Sequence, residues 1–86
     1  MKRFSYTITD SLGIHARPAG LLAKAAKAFG DTQITIGKGD EAVRATQLMK
    51  LMALGIRQGD TVTVTAEGPD EAKAEKQMRK FFEENL

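Results

Sequence analysis

The stretch TVTVTA, residues 61–66, alternates threonine with valine or alanine, and this pattern decides which kind of fold the chain adopts. Successive side chains of a β-strand point to opposite faces, so Val62, Val64 and Ala66 share one face and the threonines share the other. A strand with one apolar and one polar face is typical of an antiparallel sheet that is covered on one side only. We therefore expect such a sheet, with helices packed against its apolar face.

Three other segments also have the features of strands. Alternation from Phe4 to Ile8 predicts a first strand, and QITI (33–36) predicts a second. GKGD (37–40) is typical of a hairpin loop, after which EAVRA (41–45) is predicted to return as a short third strand.

Helical periodicity occurs in two of the remaining segments. In the first, apolar residues three or four apart form one stripe of a helix that is predicted to begin near Ala16 and to end at Gly30, with Pro18 in its first turn. That stripe consists of Ala19, Leu22, Ala26 and Phe29. In the second, Thr46 is the predicted N-cap of a helix that stops at Gly55. Leu48, Leu51 and Met52 are expected to form its inward side.

A third helix is predicted to begin at the N-cap Asp70 and to bury Ala74, Met78, Phe81 and Phe82. Its charges form three pairs four residues apart, which are Glu75 with Arg79, Arg79 with Glu83, and Lys80 with Glu84. Glu83 and Glu84 lie at the negative end of the helix dipole, so we expect fraying there.

The resulting order β-α-β-β-α-β-α predicts a single two-layer α+β domain over residues 1–86. The pattern does not distinguish a ferredoxin-like strand order from other orders with the same element sequence. No apolar run is long enough for a signal peptide or a transmembrane helix, so we expect a cytoplasmic protein that does not insert into membranes.

Composition excludes several classes of site and of partner. The chain has no cysteine and a single histidine, so it offers no disulfide and no thiolate zinc site, and we predict neither a metal nor a cofactor. A net charge of +2 is a weak electrostatic signal for nucleic acid. A small nucleic-acid-binding module remains a distant alternative, because it needs exposed aromatic residues on the sheet and a basic face.

The histidine lies in GIHARPAG, residues 13–20. If the helix begins near Ala16, His15 is at or next to its N-cap, and the first backbone N–H groups of Ala16 and Arg17 point outward without partners inside the helix. Such amides and the positive end of the dipole favour an anion, and Arg17 adds a planar donor suited to phosphate oxygens. A neutral imidazole is a competent nucleophile, so His15 is a candidate phosphoryl acceptor. From spacing alone, an ordinary capping or surface histidine remains the alternative.

GIHARPAG, followed by an alanine-rich helix and then by LMKLMALGIRQGD and VTVTAEGPDEAKA, resembles HPr, the histidine-containing phosphocarrier family of the bacterial phosphoenolpyruvate:sugar phosphotransferase system. The resemblance covers essentially the whole chain. It implies an open-faced β-sandwich, in which a four-stranded antiparallel sheet of order 1-4-2-3 carries three helices on one face.

The resemblance also implies a role for each matching residue. His15 would accept the phosphoryl group on Nδ1, and Arg17 would contact that group. The chain would act as a monomeric, stoichiometric carrier rather than an enzyme, with enzyme I as donor and IIA proteins or domains of sugar permeases as acceptors. A nitrogen-related or other regulatory phosphorelay would use the same chemistry. The partner-docking surface would comprise Gly20, Lys24, Lys27, Leu48, Met49, Lys50 and Met52.

One position departs from the pattern that many HPr proteins of low-GC Gram-positive bacteria share. In those proteins a serine at the start of the second helix is the target of a regulatory kinase, whereas Gln47 occupies the position here. A glutamine has no hydroxyl to phosphorylate, so we expect no regulation of this kind through residue 47.

Overall fold

The computed structural model describes residues 1–86 and contains four strands and three helices in the expected order. The elements are β1 (Lys2–Thr7), α1 (Ala16–Lys27), β2 (Gln33–Lys38), β3 (Glu41–Arg44), α2 (Leu48–Ala53), β4 (Thr61–Glu67) and α3 (Glu71–Asn85). None of the three helices is both long and apolar enough to cross a membrane.

The strands form one antiparallel sheet in the order β1-β4-β2-β3, which confirms the order implied by the resemblance. Strand β4 lies inside the sheet, where Val64 is opposite Phe4 on one side and Ile36 on the other. Its valines and Ala66 are buried, and the intervening threonines are not, so the alternation in TVTVTA has the predicted consequence.

The core lies between the sheet and the helices. All four apolar residues predicted for the α1 stripe are buried, and in α3 Ala74, Met78 and Phe82 are buried while Phe81 is half-buried. The Phe82 ring packs edge-to-face on Phe4 and Tyr6, with ring centroids 6.1 and 5.5 Å apart. Such aromatic pairs stabilise the folded state by about 0.5–1.5 kcal/mol each beyond the area they bury.

Three predicted boundaries were wrong by a few residues. Helix α1 ends at Lys27, and the chain reaches Gly30 through a turn. The hairpin loop is only Gly39 and Asp40, because β2 stays paired with β3 as far as Lys38. Helix α2 has Gln47 rather than Thr46 as its N-cap, since the Ala45 amide still donates to the Ile34 carbonyl and holds the chain against the sheet.

Helix α3 begins at the predicted N-cap, but the Asp70 side chain makes no capping hydrogen bond. The first turn is fixed by other contacts: Thr32 Oγ1 accepts a bond from the Asp70 amide, and the Glu71 carboxylate accepts one from the Gly68 amide. Of the three predicted charge pairs, only Glu75 with Arg79 forms, at 3.6 Å.

The end of α3 does not fray as expected. The Leu86 side chain is buried, and the Leu86 carbonyl oxygen accepts hydrogen bonds from the Thr9 and Asp10 amides at 2.6 and 2.9 Å. The Asn85 side chain donates to the Phe81 carbonyl in the last turn of the helix at 3.0 Å. These tertiary contacts outweigh the unfavourable charges of Glu83 and Glu84, which are worth only a few tenths of a kcal/mol at an exposed helix end.

Gly13 marks the corner between β1 and α1, where two backbone segments come unusually close. Its φ of 66° lies in the left-handed region, and a Cβ atom at this position would overlap the Ile56 carbonyl oxygen and lie 2.7 Å from the Arg57 Cα. The next residue, Ile14, donates its amide to that same carbonyl at 3.1 Å. Only glycine fits this corner without displacing the segment that follows α2.

The segment that follows α2 is also held by a clamp, which is formed by Lys38 and Asp60. Lys38 Nζ donates to the Gly55 carbonyl and forms an ion pair with the Asp60 carboxylate, each at 2.9 Å. The Asp60 carboxylate also accepts the Arg57 amide at 2.9 Å. The hydrogen bond from Lys38, followed by that from Arg57, lowers the pKa of Asp60 below its usual value of 3.8.

Replacing Gly13 with alanine is expected to destabilise the fold more than replacing Gly30. Both glycines have positive φ, but nothing lies within 4 Å of a Cβ at Gly30. Gly30→Ala should therefore lower the free energy of unfolding by only about 1–2 kcal/mol, the penalty of the left-handed conformation. Gly13→Ala adds the overlap with Ile56 and should lose roughly 3 kcal/mol or more. Urea unfolding followed by circular dichroism measures both, and equal losses would show that the contact with Ile56 is unimportant.

The Lys38–Asp60 clamp predicts a pH dependence. The pKa of Asp60 is lower in the folded than in the unfolded state. The pair therefore stabilises the fold at pH values above the pKa of Asp60 in the unfolded chain, and this stabilisation is lost as the pH falls below about 4. NMR titration of the Asp60 carboxyl should give a midpoint below 3.8. Lys38→Met should raise that midpoint, whereas Lys27→Met, which removes a lysine without a carboxylate partner, should not. An unchanged midpoint in Lys38→Met would contradict the assignment of the clamp.

Candidate functional site

The loop that carries His15 is fixed at several points by backbone hydrogen bonds. The Ile8 amide donates to Asp60 at 2.9 Å, the Asp10 amide donates to Leu86 at 2.9 Å, and the Ile14 amide donates to Ile56 at 3.1 Å. The partners come from the loop between α2 and β4 and from the residue that follows α3, so two separate parts of the chain hold this loop. The site therefore rests on a rigid support rather than on a free loop.

His15 is the N-cap of α1, as the sequence predicted. Its backbone is extended, with φ −104° and ψ −175°, and its carbonyl accepts the first helical hydrogen bond from the Ala19 amide at 2.9 Å. The imidazole makes no capping hydrogen bond, and the side chain is half-buried. The backbone of His15 is thus fixed, while the ring nitrogens stay available for chemistry.

The first turn of α1 supplies the donors for an anion beside the ring. The amides of Ala16 and Arg17 have no partner in the structure, and Pro18 has no N–H to satisfy. Pro18 is buried and fixes the backbone of this turn. Arg17 is exposed, forms no ion pair, and has its guanidinium free to bind. Two amides, one guanidinium and the positive end of the helix dipole therefore favour negative charge at one place.

A shallow cleft of about 50 Å³ lies against the imidazole. It is lined by Asp10, His15, Arg17, Pro18, Leu21 and Asn85. Pockets that enclose a small-molecule substrate usually measure about 300–1,000 Å³, so this cleft is too small for one. It is suited to a group of a few atoms attached to the histidine. No cluster of three or more histidine, cysteine or acidic side chains in the structure is arranged to hold a metal ion.

Sequence reasoning missed three residues of this cleft. Leu21 lies off the predicted buried stripe and is 44% exposed, but an isolated exposed leucine does not indicate an anion site. No pattern in the sequence assigns a role to Asp10, and Asn85 comes from the opposite end of the chain, which no local pattern connects with His15. Pairing of the Leu86 carbonyl with the Asp10 amide brings these two together.

The docking residues implied by the resemblance lie on α1 and α2, which pack side by side. Lys24, Lys27 and Lys50 are exposed, and Gly20 is half-buried. In α2 only Leu51 is buried, so the expectation that Leu48 and Met52 face inward was wrong. Helix α2 is only six residues long. It buries the Leu51 side chain, and its other side chains are exposed.

Three exposed apolar side chains consequently cluster on α2. Leu48 is 38% exposed, Met49 is 78% exposed and Met52 is 39% exposed. No acidic residue occurs in residues 11–30 or 42–59, the segments that contain α1 and α2, so the lysines around these side chains create a positive field. An apolar centre with a basic rim is a surface that a second protein can bind.

Comparisons with known proteins agree with this geometry. A family model described as PTS HPr component phosphorylation site matches residues 2–84. The phosphocarrier protein HPr of Mycoplasma genitalium is 36% identical over 85 residues, which cover 99% of this chain and 97% of that protein. The crystal structure of HPr-C-His from Thermoanaerobacter tengcongensis superposes with a TM-score of 0.90 at 38% identity, covering 96% of this chain and 92% of that one.

A longer relative contains the same domain. The multiphosphoryl transfer protein of Xanthomonas campestris is 40% identical over 78 residues, which are 91% of this chain but only 9% of that protein. Matches in sequence over nearly the whole chain, together with the same fold, show the family. The chain belongs to the HPr family, the phosphocarrier proteins of the phosphotransferase system.

Proposed function

We propose that this chain accepts a phosphoryl group on His15 from phosphorylated enzyme I and passes it to IIA proteins or IIA domains of sugar permeases. The chain is then a stoichiometric carrier in the cytoplasm, and neither a metal nor a cofactor takes part. Its working unit is the monomer, because His15, Arg17 and the two unpaired amides all belong to the first turn of one helix.

The observation that carries the proposal is the position of His15 at the N-cap without a capping hydrogen bond. In the transfer step, the lone pair of the ring nitrogen, Nδ1 in this family, attacks the phosphorus of the donor phosphohistidine. The donor P–N bond breaks, and its electron pair leaves with the donor imidazole. The phosphoryl oxygens then accept hydrogen bonds from the Ala16 and Arg17 amides and from the Arg17 guanidinium, each worth roughly 1.5–3 kcal/mol as a charge-assisted bond.

The exposed lysines and apolar side chains of α1 and α2 form a surface that suits repeated, brief encounters with several partners. Lys24, Lys27 and Lys50 attract acidic partners from a distance and accelerate association. Met49 and Met52 supply flexible, polarizable contacts that adapt to different surfaces. Because both partners must separate after each transfer, an interface of few apolar contacts with a charged rim suits a carrier better than a large apolar one.

His15 should be the only residue that accepts the phosphoryl group. Incubation with phosphoenolpyruvate and enzyme I is expected to add one acid-labile phosphoryl group to the wild type, seen by intact mass at alkaline pH, and none to His15→Ala. The variant should remain folded, because the His15 side chain makes no capping hydrogen bond. Thr46→Ala serves as the control and should be phosphorylated like the wild type. Phosphorylation of His15→Ala, or none of the wild type by an active enzyme I, would refute the proposal.

Arg17 should affect the rate of transfer rather than the fold. Its side chain is exposed and unpaired, so Arg17→Ala is expected to keep the unfolding midpoint while it slows transfer within the complex by roughly a hundredfold or more, as loss of one oriented donor does. Arg17→Lys keeps the charge but not the planar donor, so its transfer rate should lie between those of the wild type and Arg17→Ala. Rapid-quench kinetics with phosphorylated enzyme I measures this rate.

Lys24→Ala is the matched control for Arg17→Ala, because it removes a cation from the same helix away from the cleft. It should raise the concentration needed for half-maximal transfer and leave the maximal rate nearly unchanged. If Arg17→Ala behaves in the same way as Lys24→Ala, Arg17 contributes only to docking and its assignment to the phosphoryl group is incorrect.

A further inference from the structure

Asp10 is the one acidic side chain that lines the cleft beside His15. It is half-buried and lies in the same small space as Arg17, but it forms no ion pair within 4 Å in the structure. This placement is unusual for a site that must hold a phosphoryl group with a charge close to −2, because like charges repel in a partly enclosed cleft.

The position of Asp10 is fixed, so its carboxylate cannot turn away freely. Its Oδ1 atom accepts the Leu12 amide at 2.8 Å. Its own amide donates to the Leu86 carbonyl at 2.9 Å, and its carbonyl accepts the Gly13 amide at 3.0 Å. Side chain and backbone are thus both held in a turn three residues before the corner at Gly13, and the negative charge lies beside the cleft.

We propose that Asp10 makes the phosphorylated form of His15 less stable relative to the free form, and so raises the tendency of this carrier to pass its phosphoryl group on. The inference rests on the proposed function of His15. In the free form the positive charge of Arg17 compensates the carboxylate across the cleft. In the phosphorylated form Arg17 faces the carboxylate and the phosphoryl group together, and the two negative groups repel each other. This repulsion opposes the hydrogen bonds from the amides and Arg17, and so favours transfer of the group to the next protein.

The expected size follows from Coulomb's law with solvent screening. For one negative charge a few ångströms from a doubly charged group at a partly exposed site, the equilibrium constant of transfer should change by roughly threefold to twentyfold. The effect concerns an equilibrium between two folded states of the same protein. A purely structural role of Asp10 would weaken both states alike and leave this constant unchanged.

Asp10→Asn is the test variant, because an asparagine Oδ1 accepts the same bond from the Leu12 amide and only the charge is lost. Asp10→Ser is the second variant, because a serine hydroxyl supports the same kind of turn. Asp31→Asn is the control: it removes an equal charge beyond the far end of α1, about 18 Å away along a helix of 12 residues. Its side chain makes no hydrogen bond or ion pair that would be lost with it.

The experiment is a competition in one tube. Phosphorylated, ¹⁵N-labelled wild type is mixed with an equal amount of unlabelled variant and a trace of enzyme I without phosphoenolpyruvate, so that the phosphoryl group equilibrates between them. Intact mass at alkaline pH then gives the phosphorylated fraction of each protein. If wild type cannot be phosphorylated at all, the proposed function fails; if it can, the partition tests Asp10 separately.

Asp10→Asn and Asp10→Ser should hold roughly three to twenty times more of the phosphoryl group than the wild type, and the preference should shrink at high salt as the charges are screened. Asp31→Asn should share the group almost equally with the wild type. An equal partition for Asp10→Asn and Asp10→Ser, or a preference of the group for the wild type, would overturn the inference. In the second case Asp10 would stabilise the phosphorylated form by orienting Arg17.

Discussion

The contact between Gly13 and the backbone of Ile56 is the constraint on which the site depends. Because Gly13 has no Cβ atom, the chain can turn sharply between β1 and α1 at this point. The Ile14 amide then donates to the Ile56 carbonyl at 3.1 Å. With Ile14 fixed, the next residue becomes the N-cap and α1 begins at Ala16. A displacement of this corner would move the N-cap, the two unpaired amides and the guanidinium of Arg17 together, because all of them belong to one turn of one helix.

The chemistry of the site follows from what this helix start leaves unsatisfied. The amides of Ala16 and Arg17 have no partner, Pro18 needs none, and the imidazole is not engaged in capping. In soluble proteins the N-cap residue of a helix is usually a serine, threonine or aspartate, whose side-chain oxygen accepts hydrogen bonds from these N–H groups. Here the position is occupied by a side chain that can acquire its own acceptor oxygens, so phosphorylation of His15 would complete the cap. The free and the phosphorylated forms can then share the same backbone, which suits a carrier that several proteins must recognise.

Much of this arrangement can be predicted from the sequence because it depends on local patterns. Alternation in residues 61–66 predicts the sheet face, spacing of apolar residues predicts the buried stripe of α1, and GIHARPAG predicts the helix start. What escaped prediction depends on contacts between distant segments. The pairing of Ala45 with Ile34 moves the N-cap of α2 from Thr46 to Gln47, and burial of Leu86 prevents the end of α3 from fraying. Neither contact leaves a signal in the neighbouring residues.

The same distinction applies to the site. His15 and Arg17 are two residues apart, so helix geometry alone places both at the start of α1, whereas Asp10 and Asn85 meet at the cleft only through the bond between the Leu86 carbonyl and the Asp10 amide. Exposure of Leu48 and Met52 also depended on the tertiary structure, because a helix of six residues buries too few side chains for its period to define a face. Local chemistry therefore points to His15 as the candidate acceptor, and the fold brings Asp10 and Asn85 to the same cleft.

The central claim is that a phosphoryl group on His15 is held by the open start of α1. The most direct measurement is NMR of the ¹⁵N-labelled protein before and after phosphorylation by enzyme I and phosphoenolpyruvate, observing the imidazole nitrogens and the backbone amides. The account predicts a ³¹P–¹⁵N coupling to one ring nitrogen of His15 and downfield shifts of the Ala16 and Arg17 amide protons, with little change in the strands. A phosphoryl group bonded to another residue, or unchanged amide signals at Ala16 and Arg17, would contradict it.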